Sequence, residues 1–146
     1  IGGESIAIEA ALMMPEGSVV AVEYSKRDRA TLEDNVAHFG LHNIKIIDHI
    51  DAETMKGCPV PSLVFMVASA STEQELAYLT SINPNINVVL YTLDFKVAAG
   101  ISGVLQELGL TDIDTIQVSI SKLGSNNTFK QEPAPWIITA KTRTNA

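Results

Sequence analysis

Three groups of residues have the types and spacing to hold a small polar ligand. Gly2-Gly3 runs into a helix expected from Ser5 onward, where a glycine turn lets backbone N–H groups meet a carboxylate or phosphate. Glu23, followed by Tyr24, stands about 20 residues further on, at the end of an apolar strand, where an acid can accept hydrogen bonds from ribose hydroxyls. Asp51-Ala52 follows the next strand, and an aspartate there can accept from an adenine amine. Taken singly each signal is weak, because a glycine pair is commonly just a turn and a strand-end acid is commonly just solvated. Their order and spacing give them weight.

The elements that must position these residues alternate between two periodicities. Ser18 to Tyr24, Ile44 to Asp48, Ser62 to Ala68 and Ile86 to Thr92 are short, apolar and β-branched, as strands buried on both faces should be. Helices are expected between them. Ser5 to Met14 carries Ile6, Ala10, Met13 and Met14 at helical spacing and stops at Pro15-Glu16-Gly17. Ser25 to His38 opens with a capping box of Ser25 and Asp28 and closes at Gly40. Thr72 to Ile82 has a second box in Ser71 and Gln74, and Asn83-Pro84 stops it; a fourth helix runs from Asp94 to Leu108, ends at Gly109, and is weakened by Gly100 and Gly103.

Repeated strand–helix units imply a parallel sheet with right-handed crossovers. The last third departs from this. Asp114 to Ser121 and Trp136 to Thr142 read as strands with a loop and no helix between them, which makes a terminal antiparallel pair.

With 146 residues the chain is expected to form one domain, residues 1–146, large enough to bury a core. A formal charge of −7 gives no footprint for nucleic acid and disfavours an anionic membrane surface. No basic leader precedes an apolar stretch, so the expected location is cytoplasmic. Cys58 is the only cysteine and reads as structural; His38, His42 and His49 show no zinc spacing and read as surface or turn histidines, with no metal expected. Met13, Met14, Met55 and Met66 read as packing residues, and Trp136 as a core or subunit contact.

Charge bears on the choice of ligand. A dinucleotide brings a pyrophosphate and wants a full G-x-G-x-x-G cradle; S-adenosylmethionine brings no phosphate and carries a sulfonium cation. An acidic chain with an incomplete glycine motif suits the latter, and the terminal antiparallel pair also departs from the all-parallel dinucleotide fold. An NAD-dependent oxidoreductase is the weaker option.

The stretches SIAIEAALMMPEGSVVAVEYSKR, NVAHFGLHNIKIID, GCPVPSLVFM, TLD at Thr92 to Asp94, IQVSISKLGSNNTF and PWIITA together resemble the decarboxylating precorrin methyltransferases of cobalamin biosynthesis. The resemblance implies an α/β, Rossmann-like class I methyltransferase fold, mostly parallel with a terminal antiparallel strand pair. It implies S-adenosylmethionine as cofactor, a tetrapyrrole substrate, and a homo-oligomer, a tetramer by family expectation. The cofactor would lie against Gly2, Gly3, Glu23, Tyr24, Asp51 and Ala52, with Ser69 toward the substrate. The family's first strand and its aspartate are expected in a segment preceding this sequence.

This sequence departs from the family at the site more than in the scaffold. Glu4 replaces the last glycine of the opening motif, Asp51 matches the Gly-Asp-Ala-Pro turn only with one residue inserted, and FMVASAS at Phe65 to Ser71 replaces a glycine-rich loop. Val89 replaces an asparagine. Two functional readings result: a divergent methyltransferase, or a non-catalytic interaction subunit on the same fold. The loop from Lys122 to Gln131 is expected to close over a site or a neighbouring subunit. No residue declares itself as a general acid or base, which suits methyl transfer, where positioning supplies much of the rate.

Overall fold

The computed structural model describes residues 3–119, 121–124, 128–131 and 133–142. The chain divides into two compact units, Ile1–Pro59 and Val60–Ala146.

The first unit holds α1 (Gly3–Met13), β1 (Val19–Val22), α2 (Lys26–His38) and β2 (Ile44–Ile47). β1 and β2 pair in parallel from Val19↔Ile44 to Val22↔Ile47. Ile8, Ala21 and Leu32 form the core, with Val36, Leu41, Ile44 and Ile46 packed against it. Asn43 ties the far end together: its Nδ2 donates to Ala11 O at 3.0 Å and Met14 O at 2.9 Å, and its carbonyl accepts from Val19 N at 2.9 Å. One side chain thus satisfies carbonyls that the end of α1 leaves orphaned.

The ends of α2 follow the sequence closely. Ser25 is extended (φ −79°, ψ 122°) and its Oγ accepts from Asp28 N at 3.2 Å. The reciprocal bond of the expected box goes elsewhere, since Ser25 N donates to Glu23 Oε1 at 3.2 Å. Gly40 takes a positive φ of 63°, while Gly40 N reaches Ala37 O and Leu41 N reaches Val36 O, both at 3.1 Å. That is the Schellman pattern, and it explains why glycine stands there.

Helix α1 spans Gly3 to Met13 and faces inward through Ile8 and Ala11, not through the expected Ile6, Ala10, Met13 and Met14. Ile6 is 42% exposed and Met13 78%. The segment is apolar nearly all round, so more than one face fits a helical period. Met14 is exposed too, so of the four methionines only Met55 is buried as packing.

The second unit contains β3 (Leu63–Val67), α3 (Thr72–Ile82), β4 (Asn87–Thr92), α4 (Phe95–Glu107), β5 (Leu110–Gln117), β6 (Ser121–Leu123), β7 (Phe129–Gln131) and β8 (Trp136–Thr142). Its main sheet has the order β3-β4-β8-β5. β3 and β4 are parallel, whereas β8 runs antiparallel to both neighbours. The expected terminal antiparallel pair is therefore present as β5–β8, with β8 inserted between β4 and β5. Strand β5 begins at Leu110, earlier than Asp114, and a register shift between Thr111 and Asp114 accommodates Asp112 at φ 53°.

Both parallel-side crossovers, β3 to β4 and β4 to β5, move the same way across the sheet, so right-handedness places α3 and α4 on one face. Val64, Val88, Leu90, Ile138 and Ala140 are buried there with Leu76, Leu79, Ala98, Ile101 and Leu105. Burial of β3 on both faces is not what is found. Leu63, Phe65 and Val67 are 59%, 40% and 55% exposed, because the helices cover a single face. The expected loop from 122 to 135 contains the β6–β7 hairpin, paired from Ser121↔Gln131 to Leu123↔Phe129. Among the described residues, no helix is long and apolar enough to cross a membrane.

Gly100 and Gly103 are exposed on α4, and a Cβ at either meets nothing within 4 Å. Gly100→Ala and Gly103→Ala are each expected to stabilise by about 0.5–1 kcal/mol, since alanine loses less backbone entropy in a helix. Gly109→Ala is expected to destabilise, because φ +84° strains any L side chain. Calorimetric melting of the three variants checks both directions.

Candidate functional site

Parallel pairing brings the carboxyl ends of β1 and β2 to the same edge. The ladder extends one bond past Val22, with Glu23 N donating to Ile47 O at 3.0 Å, so Glu23 leaves the sheet beside Asp48. Glu23 is half-buried; one carboxylate oxygen, Oε1, is held by Ser25 N, and its carbonyl accepts from Arg29 Nη1 at 3.0 Å. The backbone bond and the Oε1 bond together fix where the second carboxylate oxygen lies. Tyr24 beside it is 56% exposed.

Beyond β2 the chain forms a compact turn built on side chains. Asp51 Oδ1 accepts from Thr54 N at 2.8 Å and Thr54 Oγ1 at 3.1 Å, while Asp51 N donates back to Thr54 Oγ1 at 3.0 Å. The other oxygen, Oδ2, lies 2.6 Å from His49 Nε2, and His49 Nδ1 lies 2.7 Å from Asp48 Oδ1. The imidazole thus bridges two carboxylates. Hydrogen bonding to Asp51, then to Asp48, raises the His49 pKa from its ordinary 6.5. The Thr54 backbone bond, followed by the Thr54 hydroxyl and His49, lowers that of Asp51 from 3.8.

In the second unit the corresponding strand end leads into a serine-rich turn. Ala68 N donates to Tyr91 O at 2.8 Å, extending the β3–β4 ladder, and Ser69 N donates to Thr72 Oγ1 at 2.8 Å. Ser69 Oγ and Ser71 Oγ are 3.0 Å apart, and Ser71 Oγ donates to Glu75 Oε1 at 2.7 Å. Ser71 therefore does not form the expected box with Gln74. It sits in the helical region (φ −90°, ψ −5°) and makes no side-chain cap, its hydroxyl being spent on Glu75 one turn along. After β4, Asp94 N donates to Thr92 Oγ1 at 3.0 Å and Asp94 Oδ1 caps Lys96 N at 2.8 Å. The helix it starts places Phe95 against Trp136, ring centroids 5.8 Å apart.

The structure thus brings Glu23, Tyr24, Asp51 and Ala52 to one edge of the first unit. Gly3 is the first residue of α1, two residues earlier than the expected helix start, and Gly2 lies outside the described residues, as does the side chain of Glu4. Ser69 lies in the second unit at the end of β3. His49 is a surface histidine in a turn, as expected, but its bridge between two carboxylates was not foreseen, and Glu75 was missed. His49 stands one residue after Asp48 and two before Asp51, a spacing that allows a bridged imidazole, whereas Glu75 is signalled only by lying four residues after Ser71.

The model of the precorrin methyltransferase domain matches residues 1–139. The chain belongs to the precorrin methyltransferase domain family. No curated protein matches it by sequence. Among solved structures, the precorrin-6Y C5,15-methyltransferase of Geobacter metallireducens superposes with a TM-score of 0.85 at 22% identity, covering 97% of this chain and 76% of that one. The precorrin-8w decarboxylase of Methanobacterium thermoautotrophicum gives 0.67 at 14%, covering 84% and 68%. An S-adenosylmethionine-dependent O-methyltransferase of Thermotoga maritima gives 0.62 at 15%, covering 89% and 51%. At these identities the likeness establishes the fold, an α/β methyltransferase architecture with a mixed sheet, and the family match carries the assignment to precorrin methyltransferases.

The His49 bridge has a defined pH window. The raised His49 pKa makes its contribution to stability full below 6.5 and lost as pH rises through the folded value. The lowered Asp51 pKa makes its contribution present above 3.8 and lost as pH falls through the folded value. Asp51→Asn is expected to bring the His49 titration, followed by NMR of its ring protons, back toward 6.5. An unchanged titration would show that the bridge is not formed in solution.

Proposed function

We propose that this chain is an S-adenosylmethionine-dependent C-methyltransferase of the decarboxylating precorrin type, acting on a tetrapyrrole as one domain. The observation that carries the reading is the placement of two carboxylates, Glu23 and Asp51, beyond the flush ends of adjacent parallel strands. That is where an open α/β sheet takes a nucleoside.

The residues present fit an adenosine. Glu23 has one oxygen fixed by Ser25 N, which leaves the other to accept from the ribose hydroxyls. Asp51 is held in place by Thr54 and shares Oδ2 with His49, and a carboxylate oxygen has a second lone pair for an adenine amine. Gly2 and Gly3 would face the carboxylate end of the ligand, with Tyr24 and Ala52 along the nucleoside. When bound, S-adenosylmethionine supplies an electrophilic methyl on a sulfonium. This chain's own part is to bind and orient. In the second unit Ser69 is exposed and would meet the tetrapyrrole. The homo-oligomer and the cytoplasmic location belong to the same proposal.

A second reading is favoured by one feature. Val67 at the end of β3, and Ala68 and Ala70 on the turn after it, carry side chains where glycines would let a ligand approach the backbone. It makes the protein a non-catalytic subunit on the methyltransferase fold.

Isothermal titration with S-adenosylhomocysteine separates the two readings. The enzymatic reading expects binding by the wild type and about a tenfold or greater loss in Glu23→Gln, the size expected for a hydrogen bond to a charged group. No binding at millimolar ligand, in a chain extended by any natural N-terminal segment, leaves the non-catalytic reading. Methylation and loss of carbon dioxide from a precorrin substrate, followed by mass spectrometry, tests the reaction itself.

A further inference from the structure

The turn between β3 and α3 spends its donors inward. Ala68 N is bonded to Tyr91 O, Ser69 N to Thr72 Oγ1, Ser71 N to Ser69 Oγ at 3.3 Å, and Thr72 N to Ser69 O at 3.2 Å. The hydroxyls obey the same polarity. Glu75 is 94% buried, its relative exposure being 6%, and its carboxylate oxygen only accepts, so the single Ser71 hydroxyl hydrogen points to it. Ser71 Oγ can then only accept from Ser69, and the Ser69 hydrogen is committed inward as well. Ser69 Oγ has two lone pairs, one of which receives Ser71 N. What remains at exposed Ser69 is one lone pair and no hydrogen.

We infer that Glu75, acting through Ser71, is a positioning residue that sets Ser69 as a hydrogen-bond acceptor, selecting an N–H donor of the substrate and turning away its carboxylates. The inference rests on the reading of Ser69 as a substrate contact and deepens it. A tetrapyrrole carries both kinds of group, with ring N–H donors at its centre and carboxylates at its rim. A serine with a free hydrogen would serve either, whereas one whose hydrogen is committed inward serves only the donor. Releasing a carboxylate ligand from this contact also suits a site where a substrate acetate is to be lost rather than held.

The test uses uroporphyrinogen as the tetrapyrrole probe, titrated anaerobically by calorimetry against the whole chain. Ser69→Ala is expected to weaken binding about threefold to tenfold, the range for one neutral hydrogen bond. Ser71→Ala and Glu75→Met, which both break the relay, leave Ser69 able to accept and free its hydrogen, so they are expected to keep the affinity for uroporphyrinogen and to bind mellitate, which offers carboxylates and no N–H, about threefold to tenfold more tightly than the wild type does. The double variant Ser69→Ala/Glu75→Met is expected to lose that gain. Glu75→Gln keeps an acceptor oxygen of the same size and is expected to restore most of the discrimination against mellitate, a rescue that mere packing of the side chain does not predict. Ser71→Ala removes the relay at a half-buried position, so the test stands if Glu75→Met fails to fold.

Weaker uroporphyrinogen binding in Ser69→Ala with wild-type mellitate affinity in Ser71→Ala and Glu75→Met overturns the role of Glu75 while leaving the substrate reading intact. No binding by the wild type overturns the tetrapyrrole reading and this choice of ligand with it. The polarity is read separately, without ligand, from the Ser69 hydroxyl proton by NMR. Slow exchange that is lost in Ser71→Ala and Glu75→Met supports the relay, and fast exchange in the wild type overturns it.

Discussion

Parallel strand pairing is the constraint from which the candidate site follows. When two parallel strands start in step, their carboxyl ends finish at one edge, and whatever the sequence puts next is gathered there. β1 and β2 finish together at Val22 and Ile47, and Glu23 extends the ladder by one bond. β3 and β4 do the same in the second unit, where Ala68 N reaches Tyr91 O. The segments that follow are short and polar because each must turn the chain and start a helix or a compact turn. Polar side chains placed there for capping are also available for chemistry.

The two strand-end regions solve the capping problem with opposite polarity. In the first unit, carboxylates do the accepting: Glu23 takes Ser25 N, and Asp51 takes Thr54 N and Oγ1. Negative charge is left facing outward, tempered at Asp51 by the bridging imidazole. In the second unit the carboxylate is buried and hydroxyls stand between it and solvent. The first arrangement presents carboxylate acceptors to its surroundings, the second hydroxyls.

The architecture was legible in the sequence because buried β-branched runs and capped helices leave strong local patterns. The starts and stops of α2 and α4 follow from Ser25, Gly40, Asp94 and Gly109, each with the backbone geometry its residue type favours. Placement across the sheet was less legible: nothing local in Trp136–Thr142 tells that β8 lies between β4 and β5. The inward face of α1 was misjudged because its residues are apolar on nearly every side, and the exposed face of β3 because an apolar strand looks alike whether one face or two are covered. At the candidate site, the positions of Glu23 and Asp51 beyond the strand ends could be read from spacing. The roles of His49 and Glu75 could not, since a bridging imidazole and a buried carboxylate depend on side-chain directions that the sequence does not carry.

The contact between Phe95 and Trp136 has a consequence of its own. The chain holds one tryptophan, and it lies beside the first residue of α4, at the end of β4 where Thr92 and Asp94 shape the turn. All indole emission therefore originates at a single strand end. The protein carries an intrinsic optical reporter, set at the rim of the second unit's sheet, whose spectrum registers what happens at that rim without any label being added.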